Sequence, residues 1–162
     1  MSSTTEFVRA PNAFTDRVTA DGSSGWPAEP GRYRLVVSKA CPWASRGLIS
    51  RRLLGLEDVV SVAVADPIQD ERSWRFTLDP GDRDPVLGIE FLSEAYYRAD
   101  PGYTGGISVP ALVDIPSGKL VSNDYPQLTI DFATEWADYH REGAPGACPE
   151  PRGFSAAIHC GF

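Results

Sequence analysis

Cysteine is scarce in this chain of 162 residues, with three in all, Cys41, Cys148 and Cys160, and no close-spaced pair among them. An odd, scattered set is a poor disulfide framework and fits a reducing compartment. Structural zinc is served no better. Cys148, His159 and Cys160 with His140 could be gathered as four ligands, but there is no Cys-x2-Cys knuckle and the spacing matches no common site, so no metal is expected. Basic clusters are missing too. The formal net charge is -7 and the isolated "SRR" at 50–52 is the nearest thing to a cationic patch, which argues against a nucleic-acid or anionic-membrane surface. No window approaches the ~18 consecutive apolar residues of a membrane span. The start, "MSSTTEFVRAPNAF", has no basic segment followed by an apolar one. A cytoplasmic protein is expected, with neither nucleic acid nor membrane among its partners.

What is present suits one domain around one core, burying roughly two thirds of the surface the unfolded chain exposes. Residues 1–31 are rich in Ser, Thr, Pro and Gly and read as an irregular arm, whose Phe7, Phe14 and Trp26 predict that it packs on something. "RYRLVVS" (32–38) predicts a strand in which Tyr33, Leu35 and Val37 alternate with polar or smaller partners. From Pro42 to Leu56 a helix is expected. Trp43, Ile49, Leu53 and Leu56 recur at helical spacing, Pro42 suits the first helical position and Gly55 the stop. "DVVSVAVA" (58–65) is apolar enough for a strand buried on both faces. Residues 66–108, studded with Asp-Pro and Gly, predict loops around one short helix near "FLSEAYYRA", and so long a loop is usually functional or mobile. "SVPALVD" and "KLVSND", joined by "IPSG", predict a β-hairpin. Asn123 or Asp124 would cap a last helix, "YPQLTIDFATEWADYH", with Leu128, Phe132 and Trp136 on one face. Residues 141–162 read as an irregular tail.

Over 32–140 this order, βαβ, a long insertion, then ββα, is that of an α/β thioredoxin-like domain, in which the first helix starts at the thiol site. Cys41 sits just before that helix. Unsatisfied backbone N–H groups and the helix dipole favour a thiolate there, and the thiolate is the nucleophile, with Arg46 as a further cation. Free cysteine is also a common inert filler of cores, and position alone leaves that alternative open. A resolving thiol would stand at position 44, which is Ala44, so a reactive Cys41 must pair with a thiol from outside. Val109-Pro110 offers the partner surface: the residue before a cis-proline in such a fold presents its backbone N–H and C=O to an extended thiol peptide. A trans proline opening an edge strand is the plainer alternative. "SND" before the last helix supplies amides and Asp124 for a ligand's carboxylate and amine, or an ordinary cap.

Taken together, "RYRLVVSKACPWASR", "DERSWRF", "SVPALVDIPSGKLVSND" and the arm "GWPAEPGRY" resemble the glutathionyl-hydroquinone reductases, the Xi-class, omega-like relatives of the glutathione transferases. The likeness runs from about residue 6 to residue 142 and implies the thioredoxin-like N-terminal domain of that family. It also implies reductive deglutathionylation. A cysteine attacks the sulfur of a glutathionyl-hydroquinone, the aromatic leaves as hydroquinone, and a second glutathione resolves the mixed disulfide. By position the resemblance makes Cys41 the nucleophile, with Trp74, Val109, Pro110, Asn123 and Asp124 around the thiol: Trp74 packs on it, Val109 binds its backbone and Asp124 grips the γ-glutamyl group.

Two departures touch that site. The family's Cys-Pro-Trp-Ala-His-Arg has Ser45 here in place of the imidazole, and its Asn-Glu-Ser is here Asn123-Asp124-Tyr125. The co-substrate is therefore read as glutathione or another low-molecular-weight thiol such as mycothiol, and the second substrate as a quinone thioether. Family members continue into a helical domain, whereas here "GACPEPRGFSAAIHCGF" lacks helical periodicity and reads as a truncated or frame-shifted end. A fragment is then expected, with apolar surface exposed, an impaired aromatic pocket and no basis for oligomerisation. Two other functions remain alongside: a glutaredoxin-like monothiol oxidoreductase and a non-catalytic thiol-binding fragment.

Overall fold

A computed structural model describes residues 12–145. The expectations for Phe7, Cys148, His159 and Cys160, and for the tail from 146 onward, lie outside the described residues. The elements run β1 (Tyr33–Ser38), α1 (Pro42–Leu54), β2 (Val60–Ala65), a 3-10 turn (Pro80–Asp82), α2 (Ser93–Ala99), β3 (Ala111–Asp114), β4 (Lys119–Ser122), α3 (Tyr125–Thr134) and a second 3-10 turn (Ala137–Tyr139). The sheet order is β2-β1-β3-β4. β1 pairs parallel with β2 and antiparallel with β3, and β3 pairs antiparallel with β4. This is the mixed four-stranded sheet of the thioredoxin-like domain.

The two parallel strands differ from expectation in opposite directions. β1 lies inside the sheet, and all six of its residues are buried, Arg34 included. Burying a guanidinium is costly unless it is paired. Here Asp84 takes both Arg34 Nε (2.9 Å) and Nη2 (2.6 Å), while its other oxygen accepts the amides of Val86 and Leu87. The insertion between β2 and α2 thus covers a face that the alternation left polar. β2, expected to be buried on both faces, is an edge strand instead. Ser61, Val62 and Val64 stay half-buried because only one side of it has a neighbour.

α1 ends as expected. Gly55 adopts the left-handed conformation (φ 76°), and the amides of Gly55 and Leu56 return to the carbonyls of Arg52 and Arg51. Its buried face is not the expected one. Trp43, Ile49 and Leu53 face outward, and Ala44, Gly47, Ser50 and Leu54 face the sheet. Close approach explains the choice: a Cβ on Gly47 would stand 3.3 Å from Leu35 Cδ2, so small residues let the helix lie directly on β1.

The last helix is shorter than its periodicity suggested. α3 stops at Thr134 and the chain tightens into the turn at Ala137–Tyr139. Leu128, Phe132 and Trp136 are nevertheless all buried, with Trp136 edge-on to Tyr33 at 5.7 Å. The His140 ring closes the end by donating from Nε2 to the Phe132 carbonyl at 2.8 Å. Residues 12–31 join the sheet through a single bridge, Thr15 to Ser122, and fold back on themselves through another, Thr19 to Pro27. Phe14 sets its ring edge-on against Tyr96 and Tyr103, and Trp26 packs half-buried on the core. An ion pair from Arg17 to Asp131 at 2.5 Å fastens this arm to α3.

Candidate thiol site

Cys41 occupies the N-cap of α1 with extended backbone angles (φ -96°, ψ 114°). Its carbonyl accepts the Ser45 amide and the Ser45 hydroxyl, each at 3.2 Å, so the hydroxyl that replaces the family's imidazole is turned back onto the helix. The cysteine side chain makes no cap hydrogen bond. Instead Sγ lies 3.5 Å from the Val109 carbonyl, half-buried, and Cys41 is the free cysteine among the described residues. As the N-cap residue, Cys41 stands at the positive end of the α1 dipole.

The Val109-Pro110 peptide is cis, and both residues are buried. Each residue leading into it is pinned from a different part of the chain. Trp74 Nε1 donates to the Ile107 carbonyl at 3.1 Å. Tyr96 Oη donates to the Ser108 carbonyl at 2.8 Å and accepts the Ser108 amide at 3.2 Å. Asn123 Nδ2 reaches Ser108 Oγ at 3.1 Å and Tyr96 Oη at 3.3 Å. Asn123 also holds the arm: Oδ1 accepts the Phe14 amide and its own amide donates to the Phe14 carbonyl. Trp74, expected beside the thiol, therefore spends its ring N–H on the backbone leading to Val109, while Asn123 braces the Ser108 and Tyr96 hydroxyls and the Phe14 backbone of the arm. Tyr96 escaped the sequence reading. Inside "FLSEAYYRA" it looks like any core aromatic, and nothing local marks its hydroxyl. Burial raises its pKa, so the phenol stays neutral and available as a donor.

Asp124 is the N-cap of α3, yet its side chain makes no cap hydrogen bond either. Its Oδ1 accepts from Asn12 Nδ2 at 3.2 Å. Pro126 removes one amide from the first turn. The two helix starts meet directly: the rings of Trp43 and Tyr125 stand 4.8 Å apart, tilted by 35°, with the Arg46 guanidinium 5.9 Å from the Tyr125 ring centre. Sequence neighbours of Cys41 and Asp124 thus touch, which brings the thiol and the carboxylate to one end of the domain. Among the described residues no cluster of His, Cys, Asp or Glu is placed to hold a metal, and no helix is long and apolar enough to cross a membrane.

No protein-family model matches the chain. Curated relatives do. Glutathionyl-hydroquinone reductase YqjG of Escherichia coli is 40% identical over 137 residues, covering 80% of this chain and 42% of YqjG. PcpF of Sphingobium chlorophenolicum, of the same description, is 37% identical over 130 residues, covering 78% of this chain and 40% of PcpF. The chain carries the thioredoxin-like domain of the Xi-class glutathione transferases. It spans about two fifths of the length of these curated relatives. Solved structures agree: a glutathione transferase from Gordonia bronchialis superposes with a TM-score of 0.80 at 58% identity, over 82% of this chain and 41% of that one. The glutathione-bound structure of E. coli YqjG gives a TM-score of 0.73 at 39% identity, over 82% of this chain and 46% of that one. In this Xi-class domain, the positions that the resemblance assigned to the thiol fall at two helix starts, at Val109-Pro110, and, for Trp74, in the loop between β2 and α2 that reaches the Ile107 carbonyl.

Proposed function

We propose that this domain acts in the reduction of glutathionyl-hydroquinones, with Cys41 as nucleophile. The observation that carries the reading is the placement of Cys41 Sγ at the start of α1, against the Val109 carbonyl and ahead of a cis-proline. The thiolate attacks the thioether sulfur. A sulfur–sulfur bond forms, the carbon–sulfur bond breaks, and the ring carbon takes up a proton so that the aromatic leaves as hydroquinone. A second thiol then attacks the mixed disulfide, regenerating Cys41 and leaving as the oxidised disulfide. Val109 would pair its backbone with the extended thiol, the part-exposed face of Trp74 would pack on it, and Asp124 would hold its amino group. Asn123 and Pro110 would shape the backbone rather than touch the ligand through polar atoms.

Glutathione is the first candidate thiol, because a relative is glutathione-bound. Mycothiol is the second, because Ser45 and Tyr125 change the thiol's surroundings. The free thiol of Cys41 suits a reducing cytoplasm. A glutaredoxin-like reading draws on the same half-buried sulfur, which an aliphatic mixed disulfide would reach without an aromatic pocket.

The deciding experiment is intact and peptide-level mass spectrometry after incubation with glutathionyl-menadione or oxidised glutathione. An adduct on Cys41, absent in Cys41→Ser, with hydroquinone released, is the expected result. An adduct from disulfides without hydroquinone release would favour the glutaredoxin-like reading. Folded protein that forms no adduct with any small thiol would leave a non-catalytic fragment.

A further inference from the structure

We infer that Tyr96 is a positioning residue for the thiol co-substrate: through its hydroxyl it sets the backbone of Ser108 and Val109 that faces Cys41. The inference rests on the thiol reading above and deepens it. Tyr96 is fully buried on α2, and among the described residues its hydroxyl bonds Ser108 and Asn123 rather than Cys41. Its Oη closes mainly on Ser108, with Asn123 Nδ2 donating to it at 3.3 Å. It donates to the Ser108 carbonyl, accepts the Ser108 amide and lies 3.4 Å from the Ser108 hydroxyl.

Both backbone groups of Ser108 are thereby used by one phenol, a pairing that fixes the plane of the peptide entering Val109. That peptide carries the Val109 amide, and the next one carries the Val109 carbonyl that lies against Sγ. A thiol pairing with Val109 as an added strand needs both groups in register, so the phenol acts on the thiol through the backbone. The support extends outward. Asn123 bridges Tyr96 Oη and Ser108 Oγ and is itself tied to Phe14, whose ring stands edge-on to Tyr96 at 5.2 Å. The arm is therefore part of what holds the strip. Burial keeps the phenol protonated, as the donation to the Ser108 carbonyl requires.

Tyr96→Phe keeps the ring and its packing and deletes only Oη, leaving the half-buried amide and carbonyl of Ser108 without that partner. In the full chain, three quantities separate positioning from general loosening: alkylation of Cys41 by iodoacetamide, formation of the Cys41 adduct with oxidised glutathione across a concentration series, and the thermal midpoint. Adducts are localised by digestion, because Cys148 and Cys160 are also present. The expected result is alkylation within about twofold of the parent. Adduct formation should reach half-saturation at about tenfold higher oxidised glutathione with an unchanged maximal rate. Asn123→Ala should shift half-saturation in the same direction by a smaller factor, since it removes one of the four hydrogen bonds to Ser108 and leaves those of Tyr96. Unchanged half-saturation in Tyr96→Phe would overturn the inference. So would a proportional fall of alkylation and adduct formation together, which marks a merely structural role. The reductase reading is judged separately by hydroquinone release from the parent. A Tyr96-sensitive adduct without hydroquinone release keeps the inference and sinks that reading, and hydroquinone release insensitive to Tyr96→Phe does the reverse.

Discussion

The starts of α1 and α3 are built alike and used differently. Each has proline within its first two positions, an aromatic residue in its first turn, and an N-cap residue whose side chain makes no cap hydrogen bond. For Cys41 that is unremarkable, since a thiol is a weak acceptor. For Asp124 it is informative, because aspartate is among the preferred cap residues and a lost cap typically costs about 1 kcal/mol. At one start the freed side chain faces a backbone carbonyl, and at the other it faces the arm. Neither side chain is spent on its own helix, and the ring contact of Trp43 with Tyr125 joins the two helix starts.

The sharpest way to break the comparison is Cys41→Ser. It should abolish the thiol adduct and any hydroquinone release while leaving the thermal midpoint near the parent value, because no cap bond is lost; mass spectrometry and a melting curve check both. Next, Asp124→Asn should raise the half-saturating thiol concentration about tenfold, as expected for loss of a charge-assisted contact. Its stability should change by less than about 2 kcal/mol, the upper dipole contribution of a half-buried charge, as read from denaturant unfolding. A large loss of stability instead would make Asp124 a structural cap. A double-mutant cycle on Trp43→Ala and Tyr125→Ala should give a coupling of about 1 kcal/mol, which measures how firmly the two starts are joined. The smallest effect belongs to Ser45→Ala. Its hydroxyl only returns to the Cys41 carbonyl, so adduct formation should stay within about twofold of the parent and stability within about 0.5 kcal/mol.

Legibility followed the range of the interactions. Cys41 before Pro42, Gly55 after α1, and the hairpin around "IPSG" were readable because each depends on a few neighbouring residues. The buried face of α1 was not. Apolar spacing identified a helix, but Trp43, Ile49 and Leu53 turned outward because the face with Ala44, Gly47 and Ser50 lets the helix lie close on the sheet, with Gly47 against Leu35. The stop of α3 was missed for a related reason, since Trp136 stays buried across a change of helix type and its spacing continues unbroken. Asp84 and Tyr96 carried no local signal at all. One balances Arg34 from fifty residues away and the other holds Ser108, and neither partnership exists until the insertion folds over the sheet.

By itself the amino-acid order determined the thioredoxin-like succession of elements, the placement of a lone thiol at a helix start, and the absence of a resolving cysteine beside it. Those are properties of local propensity and spacing, which act between residues close in the chain. Only the tertiary structure decided which strand became an edge, which face of α1 met the sheet, and which buried side chains hold the backbone opposite Cys41. Those outcomes depend on burial and hydrogen-bond satisfaction among segments distant in sequence, where a polar group is tolerated only once its partner has arrived.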